Sequence, residues 1–203
     1  AKFESLQYEL DKKLLDASDY GVLQKRKRIF LIGWKRNTKH FYPVIEKERW
    51  NNIIADILID LPKIEPGDNA NVYSGEISDY LRKTEIRNEH DILTWHVARR
   101  HIERDREIYR NVIKAWNYDR KRLKYTDLPG VLLTHKNKSG FLDRFKIVAS
   151  DLPVSHTLMA HIAKDGHYYI HPDLEQARSI SVREAARIQS FPDNYFFEGP
   201  RTS

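Results

Sequence analysis

The alternation of apolar and polar residues divides the chain into stretches of different texture. The run Ile29-Phe30-Leu31-Ile32 is apolar on both faces, the pattern of a strand covered on both sides. Before it, Tyr8, Leu10 and Leu14 are compatible with either a strand or a helix, so periodicity leaves residues 7–34 as two strands or a helix and a strand. Ile53, Ile54, Ile57, Leu58 and Leu61 recur at three- and four-residue steps, which predicts an amphipathic helix over Asn51–Leu61 stopped by Pro62. Residues 63–85 are polar and turn-rich and read as irregular. Ile108, Val112 and Trp116 mark one face of a long helix, expected from Asp91 to Trp116. After Leu128 the texture predicts short strands at Val131–Thr134, Phe145–Ala149, His156–Ile162 and His167–Ile170. They are separated by turn chemistry at 136–140 and 164–166. Finally, Ser181 and Glu184 form a Ser-x-x-Glu capping box that opens a helix, and Phe191-Pro192 ends it.

Charge sharpens this picture. Lys and Arg outnumber Asp and Glu 35 to 29 in 203 residues, a net charge of +6. The window from Trp95 to Tyr125 holds ten basic and four acidic residues, so it carries that whole excess. Interleaved aromatics (Trp95, Tyr109, Trp116, Tyr118 and Tyr125) suit a surface that follows phosphates, with Arg99 and Arg100 at its start. The competing reading is a solvated helix laced by internal pairs through Glu103 and Glu107. The chain contains no cysteine, which excludes disulfides and thiolate zinc sites. His161, His167 and His171 lie close in sequence but lack a complete four-ligand set, so no metal is expected. No apolar run approaches the roughly 18 residues of a membrane span, and a cytoplasmic location without membrane contact is expected.

The stretch Tyr20 to Arg28 concentrates unusual chemistry. Gln24, Arg26 and Arg28 fall on one face of an extended backbone, and adjacent guanidiniums repel unless an anion or a base carbonyl lies near. A charged edge strand that discourages sheet pairing is the alternative. Read together with Arg178 to Tyr195, far downstream, this segment resembles the cytosine-C5 DNA methyltransferase family. Tyr20–Arg28 is similar to its eighth signature motif, with Leu23 where the family usually has proline. Arg178–Tyr195 is similar to its ninth.

The resemblance implies a mixed α/β fold: terminal strands of a Rossmann-like methyltransferase sheet plus a small α+β target recognition domain with antiparallel strands. Its expected units are residues 1–37 (the end of the catalytic domain), 38–177 (the recognition domain) and 178–203 (the ninth-motif helix and tether). In this family a cytosine is flipped out of double-stranded DNA, attacked by a cysteine thiolate and methylated at C5 from S-adenosylmethionine. The resemblance implies that Arg28 touches the flipped base, that Arg26 stands beside it, and that Gln24 supports both. It also implies that Thr157, in the pair Thr157-Leu158, binds a phosphate beside the flipped nucleotide. Arg183, Glu184 and Arg187 are implied to be structural. Base reading is expected in loops 136–144 and 159–166, with Arg144, Lys138 and His161 as preferred readers and Lys136 nearby.

The family's Pro-Cys nucleophile, Gly-rich cofactor loop and Glu-Asn-Val motif are absent from this sequence. The sequence begins at Ala1 and stops at Ser203, where the family's closing segment would follow. The expectation is an excised portion of a larger enzyme that by itself binds no S-adenosylmethionine and transfers no methyl group. Its partners would be duplex DNA and the missing catalytic part, on the same chain or on a partner subunit. The alternative is a non-catalytic, sequence-specific DNA-binding module or one subunit of a split methyltransferase.

Overall fold

The computed structural model describes residues 2–48 and 50–199; residue 1 and residues 200–203, the outer ends of the first and last expected units, lie outside the described residues. A single helical turn, α1 (Lys2–Ser5), leads into a hairpin of β1 (Tyr8–Asp16) and β2 (Lys27–Lys35). The strands pair antiparallel from Tyr8↔Lys35 to Asp16↔Lys27, so residues 7–34 hold two strands. The Asp16 carboxylate ties the connection down, accepting from Ser18 Oγ (2.9 Å) and from the Arg26 backbone N–H (3.0 Å). The register places Leu10, Leu14, Ile29 and Leu31 on one face of the hairpin. Within this chain that face is open, because Leu14 is 65% and Ile29 70% exposed. The cover expected on both sides of Ile29–Ile32 is therefore not supplied by the described residues.

The segment predicted as a helix over Asn51–Leu61 is instead one 3-10 turn, Ile54–Ile57, with Ile54 and Ile57 fully buried. The apolar spacing was a true burial signal, but the backbone donors go elsewhere. Ile54 N–H donates to Leu152 O (2.9 Å) and Ala55 N–H to Ser150 O (2.8 Å), while the Asp56 carboxylate takes the Ile53 N–H (2.9 Å). Residues 63–85 are not wholly irregular. They include β3 (Asn69–Ala70) and a one-turn helix, α2 (Asp79–Lys83), capped by Ser78 Oγ on the Leu81 N–H (3.2 Å). Next, β4 (His96–Val97) pairs antiparallel with β3.

The long helix, α3, runs over Glu103–Asp119 and not from Asp91. Trp95 sits at φ 59°, outside helical space, and the 96–97 backbone is spent on β3, so the helix cannot begin earlier. Arg99 and Arg100 consequently precede it. Its end is set by Arg120 at φ 54°, a left-handed cap.

Between 128 and 170 the expected strands are mostly replaced. Residues 130–132 and 160–163 form 3-10 turns. The 145–149 and 167–170 segments meet through one parallel bridge, Ile147↔Ile170, flanked by Val148 N–H donating to Ile170 O (2.9 Å). The last element, α4 (Val182–Ile188), carries the predicted capping box. The architecture is thus mixed α/β with small antiparallel sheets. One core gathers Ile54, Ile57, Leu81, Val148, Leu158 and Ile188; the other packs the Ile108, Val112 and Trp116 face of α3 on Tyr125, Phe145 and Ile170. Among the described residues no helix is long and apolar enough to cross a membrane.

Candidate nucleic-acid interface

Two segments 130 residues apart in sequence are laid side by side. Ser155 N–H donates to Leu23 O (2.9 Å) and Lys25 N–H donates to Ser155 O (2.9 Å), a parallel bridge centred on Gln24. The Thr157 hydroxyl then donates to Lys25 O, and Arg26 Nη1 donates to Leu158 O at 3.3 Å. The Thr157-Leu158 pair is therefore seated directly on the Gln24-to-Arg26 backbone. Just upstream, Gly21 lets the Trp50 indole lie close against the backbone: its φ is +83°, and a Cβ there would stand 3.2 Å from that ring. Leu23, in the position of the family's proline, is buried in the first core.

Arg26 is half-buried and Arg28 exposed, and within the described residues neither guanidinium meets a carboxylate. Arg28 Nη1 rests on Lys27 O (2.7 Å). Gln24 is fully buried, with neither amide atom hydrogen-bonded among the described residues.

The three ninth-motif residues sit in a buried ionic network. Arg187 bridges Asp60 and Asp193, with Nη2 at 2.6 Å from Asp193 Oδ2, and also donates to Ile57 O (2.9 Å). Asp60 takes a second guanidinium, Arg87, and Asp193 takes the Tyr73 hydroxyl (2.7 Å). Arg183 donates to the Thr94 hydroxyl (2.6 Å) and to Thr94 O (2.9 Å). Arg178 grips Glu184 with two bonds of 2.7 and 2.8 Å. Burial alone would raise the Glu184 pKa, but Arg178 and His171 hold its carboxyl far below the usual range. Sequence reading missed Asp60. Its signal is a lone acid inside the apolar run 57–61, which only a buried partner can stabilise.

His171 borders this network, buried, with Nε2 at 3.4 Å from Glu184. The Asp173 N–H donates to its Nδ1 (3.2 Å), so the imidazole proton sits on Nε2, facing the carboxylate. Burial pushes its pKa down to about 4, outweighing the pull of Glu184. His96, between Ser181 Oγ and Pro62 O (both 2.9 Å), is lowered by burial too. The unfolded chain therefore takes up protons first, near pH 6.5. Stability should be full above about pH 7 and fall as pH drops toward 4, by about 2 kcal/mol between pH 7 and 5 from His171 alone. Urea midpoints across that range test this. His171→Gln should remove its share of the slope and leave that of His96, and an already flat wild-type profile would refute the burial argument.

The remaining candidates are dispersed. On α3 most cations are engaged: Arg110 with Glu103 (2.6 Å), Arg106 with Glu65 (2.8 Å) and, just beyond the helix, Arg120 with Asp151 (2.6 Å). Only the Arg110 pairs, with Glu103 and Glu107, are internal to the helix; Glu65 and Asp151 lie on other segments. Arg99 donates to three successive carbonyls, Ile162, Ala163 and Lys164, at 2.7–2.9 Å. Arg144 pairs with Asp165 (3.0 Å). Lys136, Lys138 and His161 are exposed, with the His161 ring edge-on to Tyr168. His167 bonds the Tyr109 hydroxyl (2.7 Å) and does not share a strand face with buried His171. Arg99, Arg100, Arg144 and Lys164 line one polar cleft of about 400 Å³. Among the described residues no three His, Cys, Asp or Glu side chains converge as a metal site.

The family model of the C-5 cytosine-specific DNA methylases matches residues 1–203, the whole chain. The chain belongs to this family. Type II methyltransferase M.Bpa9945I of Bacillus paralicheniformis is 45% identical over 201 residues, which cover 94% of this chain and 45% of that protein. Type II methyltransferase M.DdeI of Desulfomicrobium norvegicum is 29% identical over 223 residues, covering all of this chain and 49% of its own length. The crystal structure of a prophage-encoded E. coli protein, described as a DNA modification methyltransferase, superimposes with a TM-score of 0.59 at 20% identity. It covers 95% of this chain and 53% of that one, a likeness of fold. The chain thus spans about half the length of the curated relatives it matches.

Proposed function

We propose that this chain is the DNA-recognition portion of a DNA (cytosine-5)-methyltransferase, which methylates C5 of a cytosine flipped out of a specific duplex sequence. The observation that carries the reading is the seating of Thr157 on the Gln24–Arg28 segment, where two guanidiniums stand without carboxylate partners among the described residues. Cations left open in a chain that pairs most of its arginines suit an anionic or carbonyl-bearing ligand. In this reading Arg28 meets the O2 of the extruded base, Arg26 flanks it, and Thr157 lies beside the adjoining phosphate. Lys138 and His161 reach base edges from their loops. Arg183, Glu184 and Arg187 hold the ninth-motif helix in place.

The methyl donor, S-adenosylmethionine, is a sulfonium cation. The polar cleft of this chain carries four cationic side chains against Asp105 and Asp165 and does not fit it. Donor and nucleophile are assigned to the rest of the enzyme, which would also cover the open apolar face of the β1–β2 hairpin as a continuation of the methyltransferase sheet. That remainder lies on the same chain or on a partner subunit.

The test is direct. The intact protein, incubated with S-adenosylmethionine and a randomised duplex library, should leave 5-methylcytosine in one sequence context, mapped by bisulfite sequencing. Methyl groups on adenine, or no transfer at all, would overturn the reading.

A further inference from the structure

The polar cleft of about 400 Å³ ahead of α3 is walled on one side by Arg100, His101 and Tyr109 and on the other by Arg144, Lys164 and His167. Its floor is already satisfied: Tyr109 bonds His167 (2.7 Å), and Arg144 pairs with Asp165 (3.0 Å). These groups fix the walls and offer little to a newcomer. The Arg99 guanidinium is likewise spent, since its three bonds to the carbonyls of residues 162–164 clamp the loop that carries Lys164. Gly166 lets this loop lie against Ser179, where a Cβ would stand only 2.6 Å away.

Two charges at the rim remain. Arg100 and Lys164 are exposed and have no carboxylate partner among the described residues. The Arg100 stem is held close over Gly67, whose φ is +96° and whose added Cβ would stand 2.9 Å from Arg100 Cγ. Counting side chains, four cations face Asp105 and Asp165, so the cleft carries a net positive charge. A concave site with fixed walls and two free cationic donors suits a tetrahedral oxyanion better than a planar base edge, which needs a donor and acceptor pattern.

We propose that this cleft seats one phosphate of the DNA backbone, gripped by Arg100 and Lys164, with Arg99 and the Arg144–Asp165 pair positioning its walls. The inference rests on the reading of the chain as a DNA-recognition portion. It assigns Arg144 to building a backbone contact and not to reading a base. The seat fixes the register of loop 159–166 on the duplex without contributing sequence preference.

The experiment compares duplex binding by the intact protein across salt concentrations for wild type, Arg100→Ala/Lys164→Ala and Lys114→Ala/Lys124→Ala. The last removes the same charge from the basic window outside the cleft. Losing the seat removes one phosphate contact and should reduce the slope of log affinity against log salt by about 0.9, while the methylated sequence stays the same. The control pair should leave the slope unchanged. Both cleft residues are exposed, so urea midpoints should match wild type.

A wild-type slope in the Arg100→Ala/Lys164→Ala protein, with methylation intact, removes the seat and leaves the proposed function standing. Failure of the wild-type protein to bind duplex removes both. Inorganic phosphate, followed through the His101 and His167 imidazole resonances, separates the remaining source. A response to free phosphate with none to duplex would make the ligand a small phosphate and overturn the backbone assignment.

Discussion

Replacing Arg187 with alanine should cost the fold about 3 to 5 kcal/mol, a large share of the roughly 5 to 15 kcal/mol that stabilises a typical domain. The argument is one of abandoned charge. Arg187 is fully buried between Asp60 and Asp193, and its Nη1 also satisfies the Ile57 carbonyl at 2.9 Å. Without it, two buried carboxylates share Arg87, Arg183 and the Tyr73 hydroxyl, and the Ile57 carbonyl loses its donor. The packing of α4 on the 54–60 turn depends on the same side chain. Arg187→Lys should recover only part of the loss, because one ammonium cannot reproduce three bonds to Asp193 and two to Asp60. Asp60→Asn should be severe as well, since it leaves Arg87 and Arg187 sharing a neutral amide. Urea unfolding followed by circular dichroism decides it. A midpoint within experimental error of wild type for Arg187→Ala would mean that this network is not what fastens α4.

How far such features can be read from sequence depends on the range of the interaction that creates them. The capping box of α4 is legible because Ser181 and Glu184 are three residues apart and satisfy each other locally. In the β1–β2 hairpin the apolar run Ile29–Ile32 marks one strand, but the periodicity of residues 8–16 does not separate strand from helix. By contrast, the 51–61 segment has the spacing of a helix and forms one 3-10 turn. What diverts it are the carbonyls of Ser150 and Leu152, a hundred residues away. The basic window misled in the same manner. Its charge count was right, yet α3 starts at Glu103 because Trp95 at φ 59° and the β3–β4 pairing occupy the preceding backbone. For the site, Gln24, Arg26 and Thr157 were each named from motif resemblance, but no spacing rule shows that the Thr157 hydroxyl lands on Lys25 O. Nor does sequence disclose that Arg99 ends on three carbonyls and that Arg144 ends on Asp165. Cations of this kind take their meaning from whichever partner the fold brings near.

Arg28 should show the opposite behaviour to Arg187. It is exposed, and among the described residues its guanidinium hydrogen-bonds only the Lys27 carbonyl (2.7 Å), so Arg28→Ala should leave the urea midpoint unchanged. In the intact enzyme the same substitution should lower turnover by about 10² to 10³, the usual loss when one donor to a developing charge is removed. Duplex affinity should change little, because a donor to an extruded base contributes most when the ring gains charge in the transition state. Arg28→Lys should rescue poorly, since a point charge on a flexible stem lacks the fork of a guanidinium. Arg26→Ala makes the informative comparison. Its contact with Leu158 O ties it to the Thr157 segment, so its loss should disturb binding and turnover together. The measurement is single-turnover methylation beside equilibrium binding for each variant. Near-normal turnover in Arg28→Ala would place the flipped base elsewhere. A fall in turnover matched by an equal fall in affinity would make Arg28 a backbone contact and not a partner of the reacting ring.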